Sequence, residues 1–254
     1  MQGFKSTVLV AAAALILSAC GNEVKGPTDT MSKGDISISV DETYRPVIEQ
    51  QQKVFDSSYP EAKITANYKA EADCFKDFFN RKARLILVTR ELTADERALC
   101  EQKKIVPTQV SLAKDAIAVV VNSSSTDTVL SVEFIKGILK GTINKKKYTV
   151  VFDNQSSSTV RYIMDSVLKG EKLGPNVFAA KGNDSVVAYV EENPDAVGFV
   201  GLSYIGNPEG RTGNDEFIDN VKVAAIWNDS MQQAYKPYQA YIAQNLYAFT
   251  RRLY

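Results

Sequence analysis

Two hydrophobic periods alternate along most of this chain. ISISV at Ile36–Val40 alternates apolar and polar as a half-buried strand does, and DETYRP then leads into a helical pattern through about Ser58. Ala62–Ala66 predicts a second strand, Glu71–Lys82 a helix, and RLILV at Arg84–Val88 a nearly continuous apolar strand. Thr93 with Glu96 three residues on makes a capping box, so a helix is expected to about Lys103. AIAVVV at Ala116–Val121 reads as a buried strand, and Ser131 starts a helix through Leu139. Tyr148–Phe152 is a short strand, Asp184 caps a helix to Glu192, and AVGFVG at Ala196–Gly201 is a strand. VKVAAIW at Val221–Trp227 is the last strand before a Tyr-rich helical tail. Strands that alternate with helices predict an α/β protein built on parallel sheet.

One junction stands out. In VFDNQSSSTVRYIMDSV, the apolar residues Val160, Ile163, Met164, Val167 and Leu168 fall at helical steps, and Ser156–Thr159 sit just ahead of them. Hydroxyl residues there cap the helix, and they also leave its first N–H groups free for an anion. Both readings stay open on this stretch alone. In parallel sheets ligands gather beyond the strand C-terminal ends. Three loops of that kind are polar: Asp41–Tyr44, Thr89–Glu91 and Asp153–Thr159.

Composition narrows the chemistry. The 254 residues carry 30 basic and 30 acidic side chains and are 44% hydrophobic, enough for a sizeable core and without the basic excess of a nucleic-acid binder. Histidine is absent, so the commonest metal ligand and general base is missing, and neither a metal nor a cofactor is expected. Lys5, the short apolar run Val8–Leu17 and LSAC ending at Cys20 have the pattern of a bacterial lipoprotein signal, with Cys20 as the lipidated residue. The weakly apolar stretch that follows, residues 21–34, reads as a flexible tether. The expected location is the cell envelope, periplasmic or outer-membrane-associated, with the lipid as the membrane contact. Cys74 and Cys100 could pair as one disulfide in an oxidising compartment, or stay as two buried thiols.

The order of segments resembles a known family, the substrate-binding proteins of phosphate ABC importers. LAKDAIAVVVN at Leu112–Asn122 is similar to the family's crossing between lobes, and TVLSVEFIKGILKGTI at Thr128–Ile143 to the helix and turn that follow. SSST stands where the family has a Ser-Gly-Thr phosphate loop, with Ser157 in the glycine place. NPDAVGFVGLSYI at Asn193–Ile205 resembles its Asn-Pro-x-Ala-Ile-Gly-Tyr-Val segment, and YIAQNLYAFTRRLY its Tyr-Pro-Leu-x-Arg-x-Leu-Tyr segment, with Ala248 in the proline place. The resemblance covers about Ile36 to Tyr254 and is close to a branch associated with the Bacteroidetes. The family's chain continues beyond the Arg-x-Leu-Tyr point, so further first-lobe residues are expected past Tyr254.

The resemblance implies a two-lobed, type II periplasmic-binding-protein fold, each lobe a mixed, mostly parallel sheet flanked by helices. After the signal (1–20) and tether (21–34), lobe 1 is expected over 35–113 plus 228–254 and lobe 2 over 114–227. It also implies inorganic phosphate or a similar oxyanion as ligand, an ABC permease as partner, and a monomer. The ligand residues it implies are Thr43, Tyr44, Thr89, Arg90, Ser156, Ser157, Ser158 and Thr159. Arg161 is a candidate second cation, and its plainer reading is a solvated helix charge. The chain departs from the pattern at Asp41–Glu42 and at Ala70–Glu71–Ala72, where Gly-Ser pairs are usual, and the family's discriminating aspartate has no clear match. Asp153 or Glu42 are the candidates to accept a ligand proton in its place.

Other functions fit less well. Ser111–Lys114 and Ser166–Lys169 match S-x-x-K, but the Ser-Asp-Asn and Lys-Thr-Gly elements of such hydrolases are missing, and a Ser-His-Asp triad is impossible. No enzyme is expected. The stronger rival is a lipoprotein of the same fold that binds another small anion, or a surface or sensor module. Tyr235, Tyr238, Tyr241 and Tyr247 are expected to pack the last helix on the first lobe.

Overall fold

The computed structural model describes residues 29–30, 32–143, 148–207 and 217–254. The expected signal, Cys20 and most of the tether lie outside the described residues. Among the described residues, no helix is long and apolar enough to cross a membrane.

Three strands form the first sheet, each followed by a helical segment. β1 (Lys33–Asp41) passes through a single 3-10 turn (Glu42–Tyr44) into α1 (Arg45–Ser58). β2 (Glu61–Lys69) leads to α2 (Glu71–Phe79), and β3 (Leu85–Leu87) precedes α3 (Ala94–Gln102). The order is β2-β1-β3, all parallel, with Asp41 beside Lys69 and Val40 beside Leu87. Parallel register brings the C-terminal ends of all three strands to one edge, so the loops at Asp41, Ala70 and Thr89 meet there. The Thr93–Glu96 capping box is formed and starts α3.

The second sheet is larger. Its strands are β4 (Ala113–Asn122), β6 (Thr149–Phe152), β7 (Val177–Ala179), β8 (Ala196–Gly201), β9 (Val221–Val223) and β12 (Thr250–Leu253), in the order β12-β4-β8-β6-β7 with β9 also on β4. It is parallel around β6 and antiparallel wherever β4 takes part. A small sheet of β5 (Val129–Leu130), β10 (Ala225–Asn228) and β11 (Gln233–Tyr235) flanks it. Helix α4 (Val132–Lys140) is capped by Ser131 and ends at Gly141, whose φ of 69° is the left-handed conformation that favours glycine. It buries Ile135, Ile138 and Leu139, each worth about 1.5–3 kcal/mol of apolar transfer.

The two sheets are joined through β4 and β12. Leu253 pairs with Ala113 and Arg251 with Asp115, and Tyr254 exchanges both backbone hydrogen bonds (2.8 and 3.0 Å) with Val88 of the first-sheet segment. Strand pairing thus carries β12 from one sheet to the other.

Four expectations need correction. The helix after SSST is α-helical only over α5 (Ser158–Tyr162) and then widens into a π-type turn over Ile163–Val167. The Leu168 N–H reaches back five residues to the Ile163 carbonyl, and Ile163, Val167 and Leu168 are all in the core. The helix around Asp184 begins two residues earlier: α6 (Asn183–Glu192) has Gly182, not Asp184, at its N-cap. The Tyr-rich tail is mostly not helical. It runs through β11, a short α7 (Gln239–Ala243) and β12, with Pro237 and left-handed Asn245 (φ 56°) at the breaks. Tyr235 and Tyr247 pack with Ile117 and Ile242 against the larger sheet rather than the first. Of the two states the sequence left open for Cys74 and Cys100, the structure has the second: free, buried thiols in a cluster with Phe75, Val88 and Leu92. Both lie on apolar faces of α2 and α3, where burial raises their pKa and keeps them inert.

Candidate functional site

The two sheets face each other across a cleft that is shut by direct bonds. From the first side come Asp41, Glu42 and Thr43 at the end of β1, Glu71 at the start of α2, and Thr89 after β3. From the other come Asp153–Thr159 after β6, Arg161 on α5, and Gly201–Tyr204 after β8. Ser203 donates its hydroxyl to the Thr43 carbonyl (2.7 Å) and Tyr204 to the Glu42 carbonyl (2.9 Å). The Thr43 and Ser158 hydroxyls stand 3.5 Å apart. A side chain at Gly201 would come within 3.0 Å of the Thr43 carbonyl, so glycine is what lets the backbones approach this closely.

Ser158 lies at the centre of this contact. It is the first residue of α5, fully buried, and its hydroxyl accepts from Arg251 Nη1 at 3.0 Å. Arg251 is 5% exposed on β12, and its Nε donates to Asp115 on the neighbouring strand at 2.7 Å. Its Nη2 is buried with no hydrogen-bond partner. Two more buried polar atoms beside Ser158 or Thr43 share that condition: Thr159 Oγ1, next in sequence to Ser158, and Asp41 Oδ2. The other Asp41 oxygen accepts from the Thr43 N–H and hydroxyl, both at 3.0 Å. A buried polar atom without a partner is costly and rare in a folded protein. Arg251 and Asp41 both lie against Ser158, and Thr159 follows it in sequence, so these groups mark a place for a polar guest. Burial pushes the Asp41 carboxyl up to about 6, against the pull of Arg251 and with the push of Glu71.

The remaining sequence candidates are placed differently. Ser157 caps α5, its hydroxyl accepting from the Val160 N–H and donating to Asp153 at 2.6 Å. Asp153 is fully buried and its second oxygen faces the Asn183 amide at 3.5 Å, so both oxygens are engaged; burial raises its pKa. Ser156 is exposed and bonds to Asn154. Tyr44 is buried with its hydroxyl on the Arg252 carbonyl (3.3 Å) and its ring 5.5 Å from the Arg251 guanidinium. Arg90 is held by both Glu96 oxygens (2.6 and 2.8 Å) and stacks 3.9 Å over the Phe75 ring. Thr89 gives its N–H and hydroxyl to Glu71 Oε1 at 2.7 and 2.6 Å. Arg161 donates to Glu71 Oε2 at 2.6 Å and to the Thr89 hydroxyl at 2.7 Å. The carboxylate of Glu42 approaches Gly182, where a Cβ would sit 3.0 Å from Oε1, and Gly182 itself has φ 117°.

Arg251 and Asp41 are therefore the residues that sequence reasoning did not assign. For Arg251 a signal existed. Arg251 and Leu253 face inward on β12, in step with Phe249 just before it, while Arg252 is exposed, and an arginine at an inward strand position is seldom there for packing alone.

Two facing α/β lobes linked by paired strands, with a buried polar cluster where they touch, define a cleft-closing binding protein. The chain belongs to the PBP superfamily domain family, whose model matches residues 25–254. It is 24% identical to the phosphate-binding protein PstS of Staphylococcus aureus (strain USA300), over 95% of this chain and 74% of that protein. Among solved structures it is similar to a Clostridium perfringens protein, described as a phosphate ABC transporter substrate-binding protein and crystallised with bound phosphate. That match has a TM-score of 0.72 and 20% identity, over 87% of this chain and 84% of that one. An ABC-type phosphate transport receptor from Vibrio cholerae matches at a TM-score of 0.62 and 21% identity, over 86% and 84% of the two chains. These likenesses agree with the type II periplasmic-binding fold expected from sequence.

Proposed function

We propose that this chain is an extracytoplasmic solute-binding lipoprotein that captures phosphate in its inter-lobe cleft and hands it to an ABC importer. The observation that carries the reading is the cluster of Arg251 Nη2, Thr159 Oγ1 and Asp41 Oδ2, buried and unpartnered around Ser158 and Thr43. A guanidinium and hydroxyls are donors for an oxyanion, and a carboxylate beside them is an acceptor for a ligand O–H. Hydrogen phosphate offers both kinds of group, whereas sulfate at neutral pH offers no proton. Asp41 thus takes the role that the sequence suggested for Asp153 or Glu42.

Closure follows from the same geometry. Thr43 and Asp41 lie at one wall, Ser158 and Thr159 at the other, and Arg251 at the strand pair between them. A ligand that satisfies all of these groups binds the closed form more tightly than the open one and shifts the population toward it. The chain acts by binding, with Cys20 as its lipid attachment and the permease reading the closed form. The site is tested by equilibrium dialysis with labelled phosphate on wild type and a Ser158→Ala, Thr159→Val variant. Loss of at least tenfold in affinity is expected. Unchanged affinity in a folded variant would remove this cluster from the ligand site.

A further inference from the structure

We propose that Glu71 is a built-in anion that grips Arg161 across the cleft, so that the pair is a clasp governing how long the lobes stay shut. Glu71 is the first residue of α2 and only 2% exposed. Its Oε1 takes the N–H and hydroxyl of Thr89, and its Oε2 takes Nε of Arg161 from the opposite lobe at 2.6 Å. Arg161 Nη2 closes the circuit on the Thr89 hydroxyl at 2.7 Å. Arg161 Nη1 leans on Asp165 of its own helix at 3.5 Å, and Arg90 Nε stands 3.9 Å from Glu71 Oε2. The donors of Thr89, which face the cleft edge, are therefore answered by the protein's own carboxylate rather than left for a ligand.

This arrangement has two consequences. Thr89 and Arg161 act as positioning residues, and the ligand contacts contract to the cluster around Ser158. Closure also gains a bond that needs no ligand. Thr89 N–H can hold Glu71 in the open form because both lie on one lobe, but Arg161 reaches Glu71 only when the lobes meet. A charge-assisted bond largely removed from solvent favours the closed form and resists its reopening. The pair also closes the ligand-free cleft, so it slows exchange in both directions and must open before a ligand enters or leaves.

The test is a double-mutant cycle on the full chain with Glu71→Gln, Arg161→Met and the combination. Inter-lobe distances are measured by spin-label spectroscopy without ligand, and phosphate dissociation by stopped flow. Glutamine keeps the shape of Glu71 and can still accept from Thr89, and Arg161 is partly exposed, so both singles should fold; thermal unfolding checks this. Each single is expected to widen the ligand-free distance distribution and to speed dissociation by about tenfold, with association no slower than in wild type. The double is expected to match either single, because the pair acts as one unit. Unchanged distances in both singles, or fully additive effects, would overturn the clasp. The ligand part rests on the phosphate reading, and the distance measurement separates the two. Distances that shift in a protein indifferent to phosphate support the clasp and reject that ligand, while phosphate binding with unmoved distances rejects the clasp alone.

Discussion

Replacing Arg251 by lysine isolates what its guanidinium contributes. The arginine bonds Asp115 through Nε and Ser158 through Nη1, with Nη2 still available. Burial opposes its charge, but the carboxylates of Asp115 and Asp41 outweigh that and hold it protonated. Lysine keeps the charge on one nitrogen at the end of a flexible stem, so it can face Asp115 or the cleft, but not both. A hydrogen bond involving a charged group contributes about 1.5–3 kcal/mol, so losing the one to the ligand should weaken phosphate binding roughly ten- to a hundredfold. The lost bond to Ser158 is charge-assisted as well, so folding should lose about 1.5–3 kcal/mol, or roughly 3–12 °C in Tm for a chain of this size. Methionine is the harsher comparison, because it strands the mostly buried Asp115 carboxylate at a cost of about 3–5 kcal/mol. Labelled-phosphate competition and a thermal scan on Arg251→Lys decide the matter. A folded lysine variant that binds within twofold of wild type would refute the assignment.

Three further outcomes follow. Asp41 has a folded pKa near 6 against an ordinary 3.8, so the folded state holds a proton that the unfolded chain releases between about pH 4 and 6. Ligand-free stability therefore falls as pH rises through that window, by up to roughly 3 kcal/mol from a shift of about two units, and the loss persists above it. Urea unfolding at pH 4.5 and 7.5 should show Asp41→Asn free of this loss; parallel behaviour of variant and wild type would count against it. Gly201→Ala places a methyl 3.0 Å from the Thr43 carbonyl across the cleft, so small-angle scattering should find the variant resistant to closing with phosphate while Tm stays near wild type. Cys74 and Cys100 should be nearly silent to a thiol reagent in the native protein and react fully in denaturant; fast native labelling would contradict their burial.

The fold was legible because its signals are local. The period-two run at Ile36–Val40, the Thr93–Glu96 capping box and the Ser131 cap each appear where residue pattern alone puts them. The tail misled because four tyrosines at near-helical spacing also suit strand and turn positions, and only long-range pairing of β12 with β4 decides between them. The site was legible in loops of both walls but not on the strand between them. Thr43 and Ser158–Thr159 come from loops that resemblance could align, whereas Arg251 comes from the far end of the chain and meets Ser158 only through tertiary structure. Arg90 and Arg161 look like anion ligands in sequence, yet each is committed to a glutamate, Glu96 and Glu71, whose nearness no local pattern discloses.

The most direct measurement is a calorimetric titration of the full chain with phosphate near neutral pH, repeated with sulfate in excess. One-to-one binding at micromolar affinity or tighter, which sulfate does not displace, is the predicted result. A folded protein that gives no heat with phosphate, or one whose phosphate is displaced by sulfate, would contradict a site built from Arg251, Ser158, Thr159 and a proton-accepting Asp41.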